Sequence, residues 1–458
     1  MMINNEFWEN CVVTKRLLST EKAFNSESRS PFDMDHDRII YSNFFRRMHD
    51  KTQVFPYAPL SNSGQARSRL SHSLEVSCVA RSLGNLLGHY LVKNGAKIRP
   101  YDIGMIVASA CLAHDIGNPP FGHSGEYAIQ SWISDNLEFA LKDKWEKNDI
   151  MNFEGNAQGF RILSRLESCQ RPGGLRPTVS TLAAFMKYPC ASIDTDKNSN
   201  NPGLKKFGFF KADRESFDDV FDSFNIPRQK NCVNAYTRHP FAFLTEAADD
   251  ICYAIVDLED AYHLSVIGFD SVYDLLMPIV SSDPSFKDNK EFDKDIRVAR
   301  MRSAAISVLI DQVIDVFTSN IELFENYSFS TPLINKIDLS SSYSIIKNFS
   351  FNRIYNSSRV LEIECAGFKT IGGLFDMFVN AVLTDKPVAQ EKISRQLIPS
   401  QYFKRHENSI QSNNHSQLIE SLSTYEKILS ITDYICGMTD RYAVELYQRI
   451  SGIRLPVY

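Results

Sequence analysis

The sequence lacks paired cysteines, a long apolar run and a strong excess of either charge. Its 458 residues contain nine cysteines with no CxxC pair, which fits reduced thiols and argues against a disulfide framework. No segment approaches the ~18 continuous apolar residues that span a membrane, and the first residues lack the pattern of a signal peptide. These absences favour a soluble, cytoplasmic protein with no membrane partner.

Several motifs of nucleotide-binding and hydrolytic enzymes are also missing. There is no GxxxxGK[ST], GxGxxG, HExxH or GxSxG sequence, which argues against P-loop NTPases, dinucleotide enzymes, zincins and α/β-hydrolases. Fifty basic and fifty-five acidic residues give a formal charge of −5, so no global field attracts nucleic acid. A polyanion would have to bind through a local basic cluster.

Helical periodicity dominates the segments that are strongly patterned. The stretch 69–91 predicts an amphipathic helix, with a core face formed by Leu70, Leu74, Cys78, Leu83, Leu86 and Leu87. An apolar run from Ile103 to Ala113 predicts a buried helix that ends before Gly117 and two prolines. We predict an all-α protein in which strand-like stretches, such as the one near 350–365, are few and short.

A third predicted helix covers 244–264 and has two different faces. One side is apolar, with Leu244, Ile251, Ile255 and Leu258. The other side carries Asp249, Tyr253 and Asp257 at four-residue steps. This polar side is either a solvent-exposed acidic face or the wall of a site, and periodicity alone does not distinguish the two.

His114 and Asp115 come directly after the second helix and offer one neutral nitrogen and one anionic oxygen. A divalent ion needs more ligands, and His72 with an acidic residue of the third helix would complete an N2O2 set. The spacing does not choose among Asp249, Asp250 and Asp257. An isolated His-Asp dipeptide is more often a helix-capping or salt-linked pair, so the metal site depends on its neighbours.

His123 and Glu126 lie one helical turn apart, nine residues beyond the His-Asp pair. An imidazole oriented by a carboxylate is suited to proton transfer near neutral pH. The alternative is a loop histidine beside a solvated glutamate. Arg69 and Lys187 are candidate phosphate ligands, although each alone is more often a surface cation.

Ordered blocks along most of the chain resemble the deoxyguanosine triphosphate triphosphohydrolases of the HD superfamily. The blocks cover 37–56, 67–83, 113–129, 153–163, 186–189, 239–261, 397–402 and 430–447. The resemblance is weakest in the first thirty residues and in 265–395. It implies a division into an N-terminal arm (1–37), an HD phosphohydrolase core (38–265) and a helical C-terminal region (266–458) that completes the nucleotide pocket and contributes oligomer contacts.

The resemblance also assigns roles to individual residues. It implies metal binding by His72, His114, Asp115 and Asp249, and it selects Asp249 over Asp250. It implies that His123 and Glu126 form the catalytic pair. The residues it implies at the substrate are Arg69 and Lys187 at the triphosphate, Gln53, Asn156, Tyr188, Tyr253 and Asp257 in the nucleotide pocket, and Arg441.

The activity that the resemblance implies is metal-dependent hydrolysis of dGTP, and of other dNTPs, to the deoxynucleoside and inorganic triphosphate. Mn, Mg, Co, Ni, Fe and Zn are not distinguished by such a ligand set. The resemblance further suggests a homo-oligomer, a tetramer or hexamer, and contact with single-stranded DNA or an activating nucleotide. The alternatives are an HD phosphohydrolase acting on another nucleotide, and a nucleotide-sensing or single-strand-binding protein with a regulatory HD site.

Overall fold

The computed structural model describes residues 3–19, 29–55, 66–137, 141–167, 173–230, 232–406, 409–410, 412 and 414–455. Within these ranges the chain forms α-helices and no strand, and its β pairing is limited to isolated bridges such as Thr52 with Ser68. The all-α prediction is therefore confirmed. The expectation of a few short strands is wrong for this part of the chain.

The connections between the helices differ in length, and a long one, 186–213, separates α9 from α10. The first eleven are α1 (Asn5–Asn10), α2 (Pro31–Tyr41), α3 (Asn43–Arg47), α4 (Arg69–Lys93), α5 (Pro100–Ala113), α6 (His123–Leu137), α7 (Lys144–Met151), α8 (Gly155–Arg161), α9 (Val179–Phe185), α10 (Arg214–Phe221) and α11 (Pro240–His263). The others are α12 (Phe269–Val280), α13 (Lys294–Ser319), α14 (Ile321–Glu325), α15 (Ser340–Ser350), α16 (Ser358–Leu383), α17 (Ala389–Leu397), α18 (His415–Ser421), α19 (Thr424–Cys436) and α20 (Asp440–Ile450). π-Helical turns follow α8 and α15, at Ile162–Leu166 and Phe351–Tyr355.

α4 and α5 pack unusually closely because small residues lie at their contact. A Cβ atom added to Gly84 of α4 would lie 2.6 Å from the Cα of Gly104 on α5, a distance at which backbone would have to move. The predicted helix is confirmed, and Leu83 and Leu87 of its expected core face are buried. The rest of that face differs: Leu74 and Leu86 are 40% and 41% exposed and Cys78 is exposed, whereas His72 is buried. The apolar pattern was misleading because a face of glycine, serine and histidine makes the closest contact.

The segment 350–365 is helical and not strand-like. α15 continues through the second π-helical turn, and α16 begins at Ser358. Ile346, Ser350 and Ile354 recur at four-residue steps, and all three are buried. Packing of this one face favours a helix despite the aromatic and β-branched residues of the segment.

Two hydrophobic clusters form the interior. The first contains α4, α5, α9 and α11 with the helices up to α15, and it includes Trp8, Leu17 and Phe32 from the N-terminal residues. The second contains parts of α6 to α8 with α16 and α18 to α20. Arg161 joins them, because its buried guanidinium donates to the carboxylates of Asp213 and Asp433 at 2.9–3.2 Å.

Among the described helices, α16 alone has the length and apolar composition that could cross a membrane. Half of its most apolar window is buried inside the protein, where it packs against α6, α17, α19 and α20. α16 is thus a core helix of the second cluster. The eight cysteines in the described residues are free thiols, and Cys169 lies outside the described residues.

Candidate active site

A cavity of about 490 Å³ lies where the C-terminal end of α5 meets α4, α6 and α11. This volume is in the range of small-molecule binding sites. The predicted site residues that line it are Gln53, Arg69, His114, Asp115, His123, Glu126, Asn156, Lys187, Tyr188, Asp249 and Tyr253. Residues that the sequence predicted from widely separated segments therefore meet in one place.

Three of the predicted metal ligands form a compact group beside this cavity. The Nε2 atoms of His72 and His114 lie 3.2 and 3.4 Å from Oδ1 of Asp249. One ligand atom from each residue lies within 4.8 Å of the others. Neither Asp250 nor Asp257 belongs to this group. The structure therefore places Asp249, which periodicity alone could not select, beside the two histidines.

The chemistry of these three residues fits a divalent cation. The Cys111 carbonyl oxygen lies 2.7 Å from Nδ1 of His114, so Nδ1–H donates there and the lone pair of Nε2 remains for a metal. Burial opposes the ionisation of Asp249, but the His114 and His72 rings outweigh it and lower the pKa of this carboxyl well below its usual range. An anionic oxygen and two imidazole nitrogens are a common ligand set for transition metals.

Asp115, the fourth predicted ligand, lies at the edge of the group. Its Oδ1 is 3.6 Å from Nε2 of His114 and accepts from the amide of Asn118 at 2.6 Å. Its Oδ2 accepts from Nη1 of Arg69 at 2.6 Å. Burial would raise the pKa of Asp115, but Arg69 and the histidines lower it. The carboxylate is thus held in its anionic form next to the metal-binding group.

His123, the first residue of α6, and Glu126, the fourth, form the expected pair. Nδ1 of His123 lies 3.0 Å from Oε2 of Glu126, and the imidazole side chain is 72% exposed while the carboxylate is 5% exposed. The other carboxylate oxygen, Oε1, accepts from the backbone N–H of Gly155 at 2.7 Å. A buried, fixed carboxylate thus orients an imidazole that faces the cavity.

Two lysines bring positive charge to the wall of the cavity. Nζ of Lys187 is 3.4 Å from Oε1 of Glu246, and Nζ of Lys206 is 3.0 Å from Oε1 of Glu154. Burial opposes the charge of Lys187, but Tyr188 and Glu246 raise its pKa above the usual range. Glu154 in turn raises the pKa of Lys206 against a similar cost of burial. Both ammonium groups are charged at neutral pH and line the cavity.

Aromatic side chains from α11 and the second π-helical turn form another wall. The rings of Tyr253 and Tyr355 stack with centroids 5.2 Å apart. The hydroxyl of Tyr355 donates to Oδ2 of Asp257 at 2.7 Å, and burial raises the pKa of Asp257 to about 7. Asp257 is buried and does not line the cavity, so it contacts the aromatic wall and not the cavity itself.

The remaining predicted substrate residues are divided between two places. Gln53 lines the cavity with a buried Oε1 atom that has no hydrogen-bond partner among the described residues. Asn156 donates to Glu154 at 2.7 Å, and Tyr188 lies beside Lys187. Arg441 lies outside the cavity, in a neighbouring cleft, with its guanidinium 3.5 Å from Asp50.

Sequence reasoning missed several cavity residues, among them Asn118, Tyr355 and Lys206. Asn118 donates to Asp115 and follows it by three positions, so this spacing could have indicated the contact. Tyr355 was missed because its segment looked strand-like. Lys206 had no signal in the sequence, because its neighbours predict neither a helix nor a motif.

Comparisons with known proteins agree with this arrangement. The HD domain family model matches residues 69–156, and the phosphohydrolase-associated domain model matches 387–449. A deoxyguanosinetriphosphate triphosphohydrolase-like protein from Synechocystis sp. is 39% identical over 98% of this chain and 100% of its own length. The chain belongs to this family of HD phosphohydrolases.

Other members of the HD phosphohydrolase family extend the similarity. A deoxyguanosinetriphosphate triphosphohydrolase-like protein from Pseudomonas aeruginosa is 32% identical over 98% of the chain and 99% of its own length. A deoxyguanosinetriphosphate triphosphohydrolase from Serratia proteamaculans is 28% identical over 92% of the chain and 94% of its own length. The HD match begins at the first residue of α4 and includes the His-Asp pair and α6.

Proposed function

We propose that this HD phosphohydrolase hydrolyses dGTP to deoxyguanosine and inorganic triphosphate. The observation that carries the proposal is the meeting of three functional groups in one cavity. These are the His72, His114 and Asp249 group, the His123 and Glu126 pair, and the two wall lysines. The names of the relatives support dGTP as the substrate.

A divalent metal would be held by His72, His114 and Asp249, with Asp115 as the further ligand, and when bound it would supply Lewis-acid polarisation and a water of lowered pKa. His123 acts as the proton donor. Its Nδ1 is engaged by Glu126, so Nε2 gives a proton to the 5′ oxygen of the sugar as water attacks the α-phosphorus. The α-phosphorus to 5′-oxygen bond breaks, and deoxyguanosine leaves with the proton from His123. The attacking water loses a proton to solvent as its oxygen becomes part of the intact triphosphate. Glu126 stabilises the imidazolium form before the transfer.

The cations of the cavity hold the triphosphate. Lys187 and Lys206 pair with Glu246 and Glu154, and phosphate oxygens compete with these carboxylates for the same ammonium groups. Arg69 also lines the cavity, and its guanidinium contacts Asp115. Its Nε is buried without a partner among the described residues, which leaves a donor for an anionic oxygen.

The nucleoside binds against the aromatic wall. Stacked Tyr253 and Tyr355 offer a flat apolar surface that packs closely against a deoxyribose, so that a 2′-hydroxyl is excluded. Gln53 has a buried amide oxygen available to a sugar hydroxyl. Asp257 acts by fixing the hydroxyl of Tyr355. Asn156 and Tyr188 complete the pocket beside the lysines.

The first prediction concerns the products formed from dGTP. Purified protein is incubated with dGTP and Mn²⁺ in water enriched in ¹⁸O, and the products are resolved by anion-exchange chromatography and ³¹P NMR. We expect deoxyguanosine and triphosphate, with ¹⁸O on the triphosphate, because water attacks phosphorus. Release of pyrophosphate or single phosphate contradicts the proposal. GTP, guanosine tetraphosphate and cyclic nucleotides in parallel test for another HD phosphohydrolase activity.

A further inference from the structure

The loop 116–122 connects the metal-binding group to the proton-transfer pair. It begins after Asp115 and ends at His123, the first residue of α6. Two successive residues of this loop, Phe121 and Gly122, have positive φ angles of 63° and 56°. A bulky residue in this region is strained, so contacts from elsewhere in the protein must hold Phe121 in place.

Asp440 provides such a contact from the C-terminal region. It is the first residue of α20 and is 8% exposed. Its Oδ1 accepts from the backbone N–H of Phe121 at 3.0 Å, and its Oδ2 accepts from that of Thr52 at 2.8 Å. One buried carboxylate therefore joins two segments that line the active-site cavity. Charge-assisted hydrogen bonds of this kind are among the stronger ones in proteins.

Lys51 supports the same loop at its other end. Its buried ammonium donates to the carbonyl oxygens of Asn118 and Cys436, both at 2.7 Å. Arg47 donates to the carbonyl oxygen of Gly437 at 2.9 Å. The corner between α19 and α20, residues 436–440, is thus anchored to the loop at both Asn118 and Phe121.

These hydrogen bonds lie next to both the metal-binding group and the proton-transfer pair. Asn118 donates to Asp115, and the carbonyl of Gly122 accepts from the backbone N–H of Glu126 at 3.1 Å. A shift of the Phe121–Gly122 turn would therefore displace the first turn of α6, which carries His123. Small displacements of a catalytic group are costly, since ~1 Å can lower a rate ~100-fold.

We propose that Asp440 is a positioning residue that holds the Phe121–Gly122 turn and thereby aims His123 at the reacting phosphate. The assignment of the reaction rests on the proposed function. The hydrogen bonds of Asp440 do not depend on which reaction is catalysed. They join the segment matched by the phosphohydrolase-associated domain to the HD domain. In this view the C-terminal region takes part in the active site by fixing its geometry.

Asp440→Asn is the variant that tests this role in the full chain. The amide keeps one acceptor oxygen but turns an NH2 group toward one of the two backbone N–H groups. We expect kcat for dGTP to fall about 10- to 100-fold, with KM changed far less. Mn²⁺ affinity stays near the wild-type value because Asp440 bonds to the backbone of Phe121 and Thr52 and to none of the metal-binding residues. Ser423→Ala is the matched control: it removes the N-cap of α19 and lowers the melting temperature without this loss of kcat.

A merely structural role is excluded by combining the variant with His123→Ala. If Asp440 acts through His123, Asp440→Asn causes no further loss of kcat in the His123→Ala background. Losses that multiply overturn the proposal. Lys51→Met removes the second anchor and gives the same non-additivity, which keeps the test available if Asp440→Asn folds poorly.

Hydrogen–deuterium exchange separates this inference from the proposed function. We expect the amides of residues 116–127 to exchange faster in Asp440→Asn than in wild type and in Ser423→Ala. Unchanged exchange overturns the positioning role even if dGTP is hydrolysed. Faster exchange together with a wild-type protein that does not turn over dGTP supports the positioning of the loop and rejects the substrate.

Discussion

At the scale of single residues, the geometry of the site depends on the hydrogen bonds that each polar atom makes. Glu126 engages both carboxylate oxygens, one with His123 and one with the backbone of Gly155. Glu126 therefore holds Nδ1 of His123, and Nε2 of the imidazole points away from this carboxylate. A histidine held in this way resembles a general acid more than a structural residue, which usually has both nitrogens buried.

His123→Ala removes the proposed proton donor while leaving the metal-binding group intact. We expect kcat for dGTP to fall about 10²- to 10⁴-fold, the range typical of general acid catalysis. Mn²⁺ binding, measured by electron paramagnetic resonance, persists because no metal-binding residue changes. His89→Ala, which alters an exposed histidine on α4, is the control. Activity within a few fold of wild type in His123→Ala would remove His123 from the mechanism.

The residues of the site differ in how well the sequence could predict them. His114 and Asp115 were identified because they directly follow an apolar helix, and the spacing of His123 and Glu126 indicated a shared helical face. The choice of Asp249 required either the resemblance or three-dimensional contacts. Lys206 could not be found, because its proximity to the cavity arises from tertiary folding alone.

At the scale of elements, the α4–α5 contact brings two histidines of the metal-binding group together. His72 lies in the first turn of α4, and His114 follows the last residue of α5. The close approach of the helices at Gly84 and Gly104 fixes their relative position. Sequence periodicity predicted both helices correctly, but it could not predict the contact, because glycine carries no apolar signal.

Gly84→Ala tests the importance of this close approach. The added Cβ would meet backbone atoms of Gly104 at 2.6 and 2.8 Å, so the helices must separate. We expect a loss of about 1–3 kcal/mol in the free energy of unfolding and weaker Mn²⁺ binding. Denaturant unfolding and metal titration are the measurements.

The control for this element is Gly372→Ala on α16, where an added Cβ has no atom within 4 Å among the described residues. Alanine is favoured over glycine in a helix by up to about 1 kcal/mol, so this variant is neutral or stabilising. Equal stabilities of the two variants would show that the α4–α5 contact tolerates a side chain. The spacing of the two helices would then not depend on glycine.

At the scale of the whole molecule, the two hydrophobic clusters share buried polar connections. Arg161 contacts Asp213 and Asp433, and Asp149 accepts from the hydroxyl of Tyr425 at 2.6 Å. The Asp149–Tyr425 contact links the segment of the HD domain match to the C-terminal helices, and Arg161 links α8 to α19. The sequence predicted the helical class of the whole chain, whereas the three-part division at 37 and 265 stays a prediction, as does the tetramer or hexamer.

The stability of the whole fold should depend on pH through histidines buried in neutral form. His239 is 1% exposed and lies between the rings of Phe224 and Phe241. Burial lowers its pKa from 6.5 to about 3. The unfolded chain therefore binds the proton more readily, and this stabilisation is complete above pH 6.5 and is lost as the pH falls toward 3.

Acidification from pH 7 to pH 5 should lower the free energy of unfolding by about 2 kcal/mol through this one group. His239→Asn removes the titration while keeping an N-cap acceptor for α11, because the backbone N–H of Phe241 now donates to Nδ1 of His239 at 3.2 Å and asparagine is a favourable N-cap. The variant is less stable at pH 7 because its side chain is smaller, but its stability falls less steeply between pH 7 and 5. His89→Asn controls for removal of an exposed imidazole. If the free energy of unfolding of His239→Asn depends on pH as steeply as that of the wild type, the acid sensitivity comes from other groups. Buried His406 is the next candidate, since burial lowers its pKa well below the ordinary value.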